Sequence, residues 1–133
     1  MQVNALDHVN IITDRLDETA EFYRELLNLE RRDGPPPLTP TTAQWMFDAG
    51  GKAIIHINST DCIRTYDRTV EPGALTGALH HVALNCSGYD EVIRRIEAAG
   101  LDYQVNLVAA IGLRQVFTAD PNNVLLELNF FGD

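Results

Sequence analysis

Apolar and polar residues alternate over residues 6–12, and Leu6, Val9, Ile11 and Ile12 give the short, partly β-branched run of a strand. The period then changes. Leu16, Ala20, Tyr23 and Leu27 recur at helical spacing, so residues 15–29 are expected to form an amphipathic helix, with Asp14 available to cap it. Strands are expected near 29–33, 43–48 and 53–58. The same order returns later in the chain: a strand at 79–85, a helix on Tyr89, Val92, Ile93 and Ile96, then strands near 103–108, 114–118 and 124–130. Ser87 is placed to cap the second helix and Gly100 to end it. Pro35, Pro36, Pro37 and Pro40 lack backbone donors, which makes 34–40 a stiff loop. Asp120, Pro121, Asn122 and Asn123 read as a hairpin turn in which Asn123 takes a positive φ.

These two passages are copies of one pattern. The interval from His8 to His81 equals that from Asp17 to Asp90. The interval from His56 to Glu127 is slightly shorter, and Gln44 and Gln115 share it. Two copies are too few for a solenoid and describe a pseudo-symmetric pair of modules. Module 1 is expected over about 5–58, a linker over about 59–77 and module 2 over about 78–130, all within one domain spanning 1–133.

Composition narrows the partners. Ten Lys and Arg against nineteen Asp and Glu give a net charge of −9, a field that repels nucleic acid, and no basic cluster offsets it. No apolar run reaches the ~20 residues of a membrane span, and the N-terminus lacks the marks of a signal peptide. Cys62 and Cys86 make no disulfide framework. A cytoplasmic protein with a small-molecule partner is the expectation.

Strand alternation decides which polar side chains share a face. His8 and Asn10 oppose Val9 and Ile11. His56 and Asn58 oppose Ile55 and Ile57, while His81 and Asn85 oppose Val82 and Leu84. Glu127 and Asn129 oppose Val124, Leu126 and Leu128. One strand histidine is more often a hydrogen-bonded structural residue than a ligand. Here three of the four histidines and one glutamate fall at repeat-equivalent positions, and three imidazoles with one carboxylate suit a divalent transition metal. The alternative is a polar substrate cleft. His80 is expected on the opposite face from His81, without a metal role. Trp45 and Gln44 beside the proline-rich loop, Arg114 and Gln115 in the second copy, and Asn10 are the candidate substrate contacts.

Leu6-Asp7-His8-Val9, then Leu79 through Leu84, and above all the stretch from Asp120 to Leu128, resemble the vicinal oxygen chelate superfamily of glyoxalase I, bleomycin-resistance proteins and extradiol dioxygenases. The resemblance implies an α+β fold of two βαβββ modules, whose sheets form an incomplete mixed β-barrel around one cleft. It also implies one divalent ion (Zn, Ni, Co, Mn or Fe) held by His8, His56, His81 and Glu127, and a homodimer. Glyoxalase I enzymes usually carry Glu where this chain has His56, so His56 is open to three roles: fourth ligand, general base or substrate contact. The expected activity is a glyoxalase-like lyase/isomerase acting on a small substrate with vicinal oxygens through a metal-stabilised enediolate, with Glu127 or His56 carrying the proton. An Fe(II) extradiol-type dioxygenase and a non-catalytic drug- or metabolite-binding resistance protein are the alternatives.

Overall fold

The computed structural model describes residues 1–132. The chain divides into two compact units, Met1–Pro72 and from Gly73 onward. Each is one β-α-β-β-β module. The fold is α+β, with two four-stranded mixed sheets and neither sheet closed into a barrel.

In the first unit, β1 (Val9–Thr13) leads into α1 (Leu16–Leu27), followed by β2 (Glu30–Asp33), β3 (Ala43–Phe47) and β4 (Ala53–Ser59). The sheet order is β1-β4-β3-β2, with β1 parallel to β4 and the other pairs antiparallel. The apolar stripe of α1 buries Ala20, Tyr23 and Leu26, and the helix packs on β2, β3 and β4. The facing residues Ile11, Met46, Ile55 and Ile57 are buried. Each large aliphatic side chain withdrawn from water there contributes about 1.5–3 kcal/mol. Arg31 locks the helix to the sheet, donating to Glu21 at 2.9 Å, to Gln44 at 2.6 Å and to Asp17.

The second unit repeats the order: β5 (Val82–Asn85), α2 (Tyr89–Ala98), β6 (Tyr103–Val108), β7 (Leu113–Ala119) and β8 (Leu125–Phe131). Its sheet runs β5-β8-β7-β6 with the same parallel and antiparallel pairs. Val92 and Ile96 of α2 are buried, as are Val116, Leu126, Leu128 and Phe130 of the sheet. The 120–123 turn forms as the sequence predicts. Asp120 Oδ1 accepts from the backbone N–H groups of Asn122 and Val124, and Asn123 has φ 64°.

Several local expectations are corrected. The first strand of each unit begins later than expected, at Val9 and Val82, where its parallel pairing with the last strand of the unit starts, at Ile55 and Leu126. His8 and His81 therefore stand just before the first paired residue. Neither helix carries the expected side-chain cap: the N-cap positions are Arg15 and Gly88 rather than Asp14 and Ser87. The chain enters α1 with Thr13 Oγ1 accepting the Arg15 N–H at 2.9 Å, and enters α2 through a left-handed turn at Gly88, φ 88°. Asp17 and Glu18, like Asp90 and Glu91, supply the negative charge that favours a helix start. Gly100, φ 67°, follows the end of α2 as expected. Among the described residues, no helix is long and apolar enough to cross a membrane, and both cysteines are free.

Candidate active site

Cross-strand register shows which side chains share a sheet face. In the first unit His56 lies opposite Asn10 on β1 and Trp45 on β3, so all three point to the face away from α1. His8, two residues before Asn10, joins them. The rings of His8, His56 and Trp45 form a three-layer stack. His8 and His56 are 3.8 Å apart at 13°, and His56 and Trp45 are 3.8 Å apart at 6°. Desolvation in this sandwich, and secondarily the neighbouring His8, lower the His56 pKa below the ordinary histidine value. A backbone hydrogen bond to Ala53 and the charge of Asp7 oppose the shift. His8 Nδ1 contacts Asp7 Oδ2 at 2.6 Å, and this bond is the chief reason that the Asp7 pKa is lowered.

In the second unit Glu127 is the centre. Its Oε1 accepts from Gln115 Nε2 at 2.8 Å and from Asn129 Nδ2 at 3.0 Å. Gln115 Nε2 also donates to Asn129 Oδ1 at 3.1 Å, and Gln115 Oε1 accepts from Asn106 at 2.8 Å. One carboxylate oxygen is thus tied down by amides. The other, Oε2, faces His81 Nε2 at 3.1 Å. His81 Nδ1 in turn lies 2.9 Å from His80 Nδ1.

Two expected substrate contacts lie elsewhere. Gln44 pairs with Ile57, not with His56, and so occupies the helix-side face of β3. It is buried there, bonded to Arg31, to Asp33 at 2.8 Å and to the carbonyls of Ala43 and Pro40. Gln44 and Gln115 are consequently not equivalent despite their spacing. Trp45 faces His56 as Phe117 faces Glu127, so these two aromatic residues correspond and the counterpart of Gln115 is Ala43. A one-residue slip moves a side chain to the other face, and β3 carries a register shift at Met46/Phe47. Arg114 pairs with Phe130 on the helix-side face of β7, with its guanidinium 3.9 Å from the Tyr89 ring centroid.

The Ala43 substitution leaves a mark. Asn129 is held by Gln115, but its counterpart Asn58 has only Ala43 opposite, and its buried Oδ1 has no hydrogen-bond partner among the described residues. Sequence reasoning gave no role to Asp7, His80 or Asn106, and placed Asn129 on the Glu127 face without a part in the site. The signal for the first two was present, because each immediately precedes one of the repeat-equivalent histidines His8 and His81.

The donor chemistry fits a divalent ion. Two adjacent ligands, each about 2.1 Å from one ion, lie about 3 Å apart across a right angle, and His81 Nε2 and Glu127 Oε2 have that separation. Amides on Glu127 Oε1 and hydrogen-bond partners on the histidine Nδ1 atoms are the supports that metal ligands carry. His56 fits less well as a fourth ligand. Imidazole lone pairs lie in the ring plane, and those of the nearly parallel His8 and His56 rings run side by side instead of converging. Within neither unit do three or more His, Cys, Asp or Glu side chains gather as a metal cluster among the described residues.

The family model for the Glyoxalase/Bleomycin resistance protein/Dioxygenase superfamily matches residues 5–128. The chain belongs to this superfamily. A superfamily relative from Arabidopsis thaliana, Glyoxylase I 4, is 25% identical over 130 residues, covering 96% of this chain and 71% of that protein. Among solved structures, the superfamily fold is shared with the genomically encoded fosfomycin resistance protein FosX from Listeria monocytogenes. That match has a TM-score of 0.66 and 20% identity over 97% of this chain and 94% of that one. A second FosX structure, in complex with Mn(II) and 1S,2S-dihydroxypropylphosphonic acid, gives a TM-score of 0.64 at 22% identity, over 96% and 90% of the chains. An integron cassette protein from the mobile metagenome of V. cholerae gives 0.74 at 13% identity, over 99% and 98%.

Proposed function

We propose that the chain is a metal-dependent enzyme of the glyoxalase type, a lyase or isomerase whose small substrate carries two neighbouring oxygens. Its metal donors are His81 and Glu127 of the second unit and, by the resemblance to the superfamily, His8 of the first. A bound divalent ion supplies Lewis acidity, drawing negative charge onto the substrate oxygens as a proton leaves carbon. The observation that carries this reading is Glu127, with Oε1 held by Gln115 and Asn129 and Oε2 left to face His81 Nε2. The likeness to Glyoxylase I 4 supports the reaction class, and the fosfomycin-resistance fold with Mn(II) supports a metal.

The chain's own groups divide the remaining work. His56, stacked between His8 and Trp45, is held in one ring orientation without serving as a donor, and it is the proton carrier. Glu127 is the second proton-handling group, its Oε2 taking a proton only when that oxygen is not held as a donor. Trp45 and Asn10 border His56 and are the substrate contacts of the first module, while Gln115 acts by fixing Glu127. A homodimer, the oligomeric form expected from the resemblance, completes the proposal.

The test starts with elemental mass spectrometry of untagged chain purified without chelators. Solvent deuterium exchange at the hydroxyl-bearing carbon of an α-hydroxycarbonyl panel is then followed by NMR. Metal-loaded wild type should exchange the proton, whereas the stripped protein, His81→Ala and His56→Ala should not. A chain that retains no metal after reconstitution, or exchange no faster than metal in buffer, overturns the proposal.

A further inference from the structure

Each module places a hydrogen-bonding residue directly before its strand-entry histidine, and the two residues differ. Asp7 Oδ2 lies 2.6 Å from His8 Nδ1, and His80 Nδ1 lies 2.9 Å from His81 Nδ1. Asp7 and His80 are separated by the same interval that relates His8 to His81. Neither contact belongs to the regular strand ladders, since β1 and β5 begin only at Val9 and Val82. Ring orientation at His8 and His81 therefore depends on side-chain bonds.

We infer that Asp7 and His80 are positioning residues, each accepting the Nδ1 hydrogen of the histidine after it and so reserving Nε2 for the metal. The inference rests on His8 and His81 being donors. A neutral imidazole carries one hydrogen; once Nε2 binds a metal, that hydrogen sits on Nδ1 and needs an acceptor. Asp7 Oδ2 is an acceptor only. His80 Nδ1 meets the requirement when the His80 hydrogen is on its own Nε2. For His81 the other half of the geometry is on the same ring, because its Nε2 is the atom that faces Glu127 Oε2. The two modules thus use the same position for one task with different chemistry, a carboxylate in the first and an imidazole in the second.

Zinc affinity by competition titration tests this on the full untagged chain, with four variants whose folding is checked by urea midpoint. His80→Ala and Asp7→Ala should each raise the zinc Kd about ten- to a hundredfold. His80→Asn and Asp7→Asn keep a neutral acceptor and should stay within about threefold of wild type. Ring 15N spectra of zinc-loaded wild type should place the His81 hydrogen on Nδ1, with that hydrogen exchanging faster with water in His80→Ala. Alanine variants that fold and bind zinc as tightly as wild type overturn the inference alone. So do 15N spectra that place the metal on Nδ1, or asparagine variants as weak as alanine. A wild-type chain that binds no zinc overturns the metal reading beneath it.

Discussion

Gln115→Leu removes the amide that ties Glu127 Oε1 to the rest of its strand face. In the native unit Gln115 Nε2 serves Glu127 Oε1 and Asn129 Oδ1, at 2.8 and 3.1 Å. After substitution only Asn129 donates to that oxygen, and the carboxylate is free to turn. Hydrogen bonds to charged groups contribute about 1.5–3 kcal/mol. The Glu127 side chain keeps 14% of its exposure, so water replaces part of the lost donor and the lower end of the range applies. About 1.5–2 kcal/mol corresponds to roughly a ten- to thirtyfold weaker metal Kd. Isothermal titration with zinc measures it, beside a urea denaturation that checks the fold. Gln104→Leu is the control, because Gln104 lies opposite Phe117 on exposed edge strand β6 and makes no bond to Glu127. A folded Gln115→Leu protein with unchanged Kd would refute the reasoning that the amides hold Glu127 in place.

Other outcomes follow from burial and charge. Ile57→Ala empties a fully buried position between β4 and α1 and should lower unfolding free energy by about 2–5 kcal/mol in urea titration. Cys86 should alkylate slowly with iodoacetamide at pH 8. Burial pushes its thiol up to about 11, against a backbone bond from Asn129, and the rate should rise about tenfold per pH unit to pH 10. A rate that levels off near pH 8.5 contradicts this. Glu21 is held below the usual carboxylate range, first by Arg24 and then by Arg31. Its contribution is present above the unfolded-state pKa and lost as pH falls through the depressed folded value, so Glu21→Gln should flatten the acid limb of stability against pH.

The fold was legible because each module writes its elements in separate periods, two for the strands around Ile55 and Leu126, about four for the helix around Tyr23. Faces were legible wherever alternation ran uninterrupted, which is why His56 and Glu127 lie on the faces expected of them. Gln44 was misplaced because the equal spacing of Gln44 and Gln115 conceals a slipped register. Only the cross-strand pairing of Trp45 with His56 reveals it. Arg114 was misread for a related reason. Its apolar stem and planar charge let it lie on the helix-side face against Tyr89, a placement that a polar-out rule does not foresee. The strand starts depended on partners distant in sequence. The Nδ1 contacts of His8 and His81 depended on rotamers, which the adjacency of Asp7 and His80 in sequence allows but does not fix.

The ring stack gives the molecule an optical voice of its own. Trp45 is the single tryptophan in the chain, and its indole lies face to face with the His56 imidazole at 3.8 Å. A proton arriving on that imidazole turns the neighbour of an electron-rich ring into a cation. Emission from the unmodified protein should therefore dim as the middle ring charges, at a pH below the ordinary histidine midpoint. With no second indole to blur the signal, the state of one proposed proton carrier can be followed in real time, without a label and without a substrate.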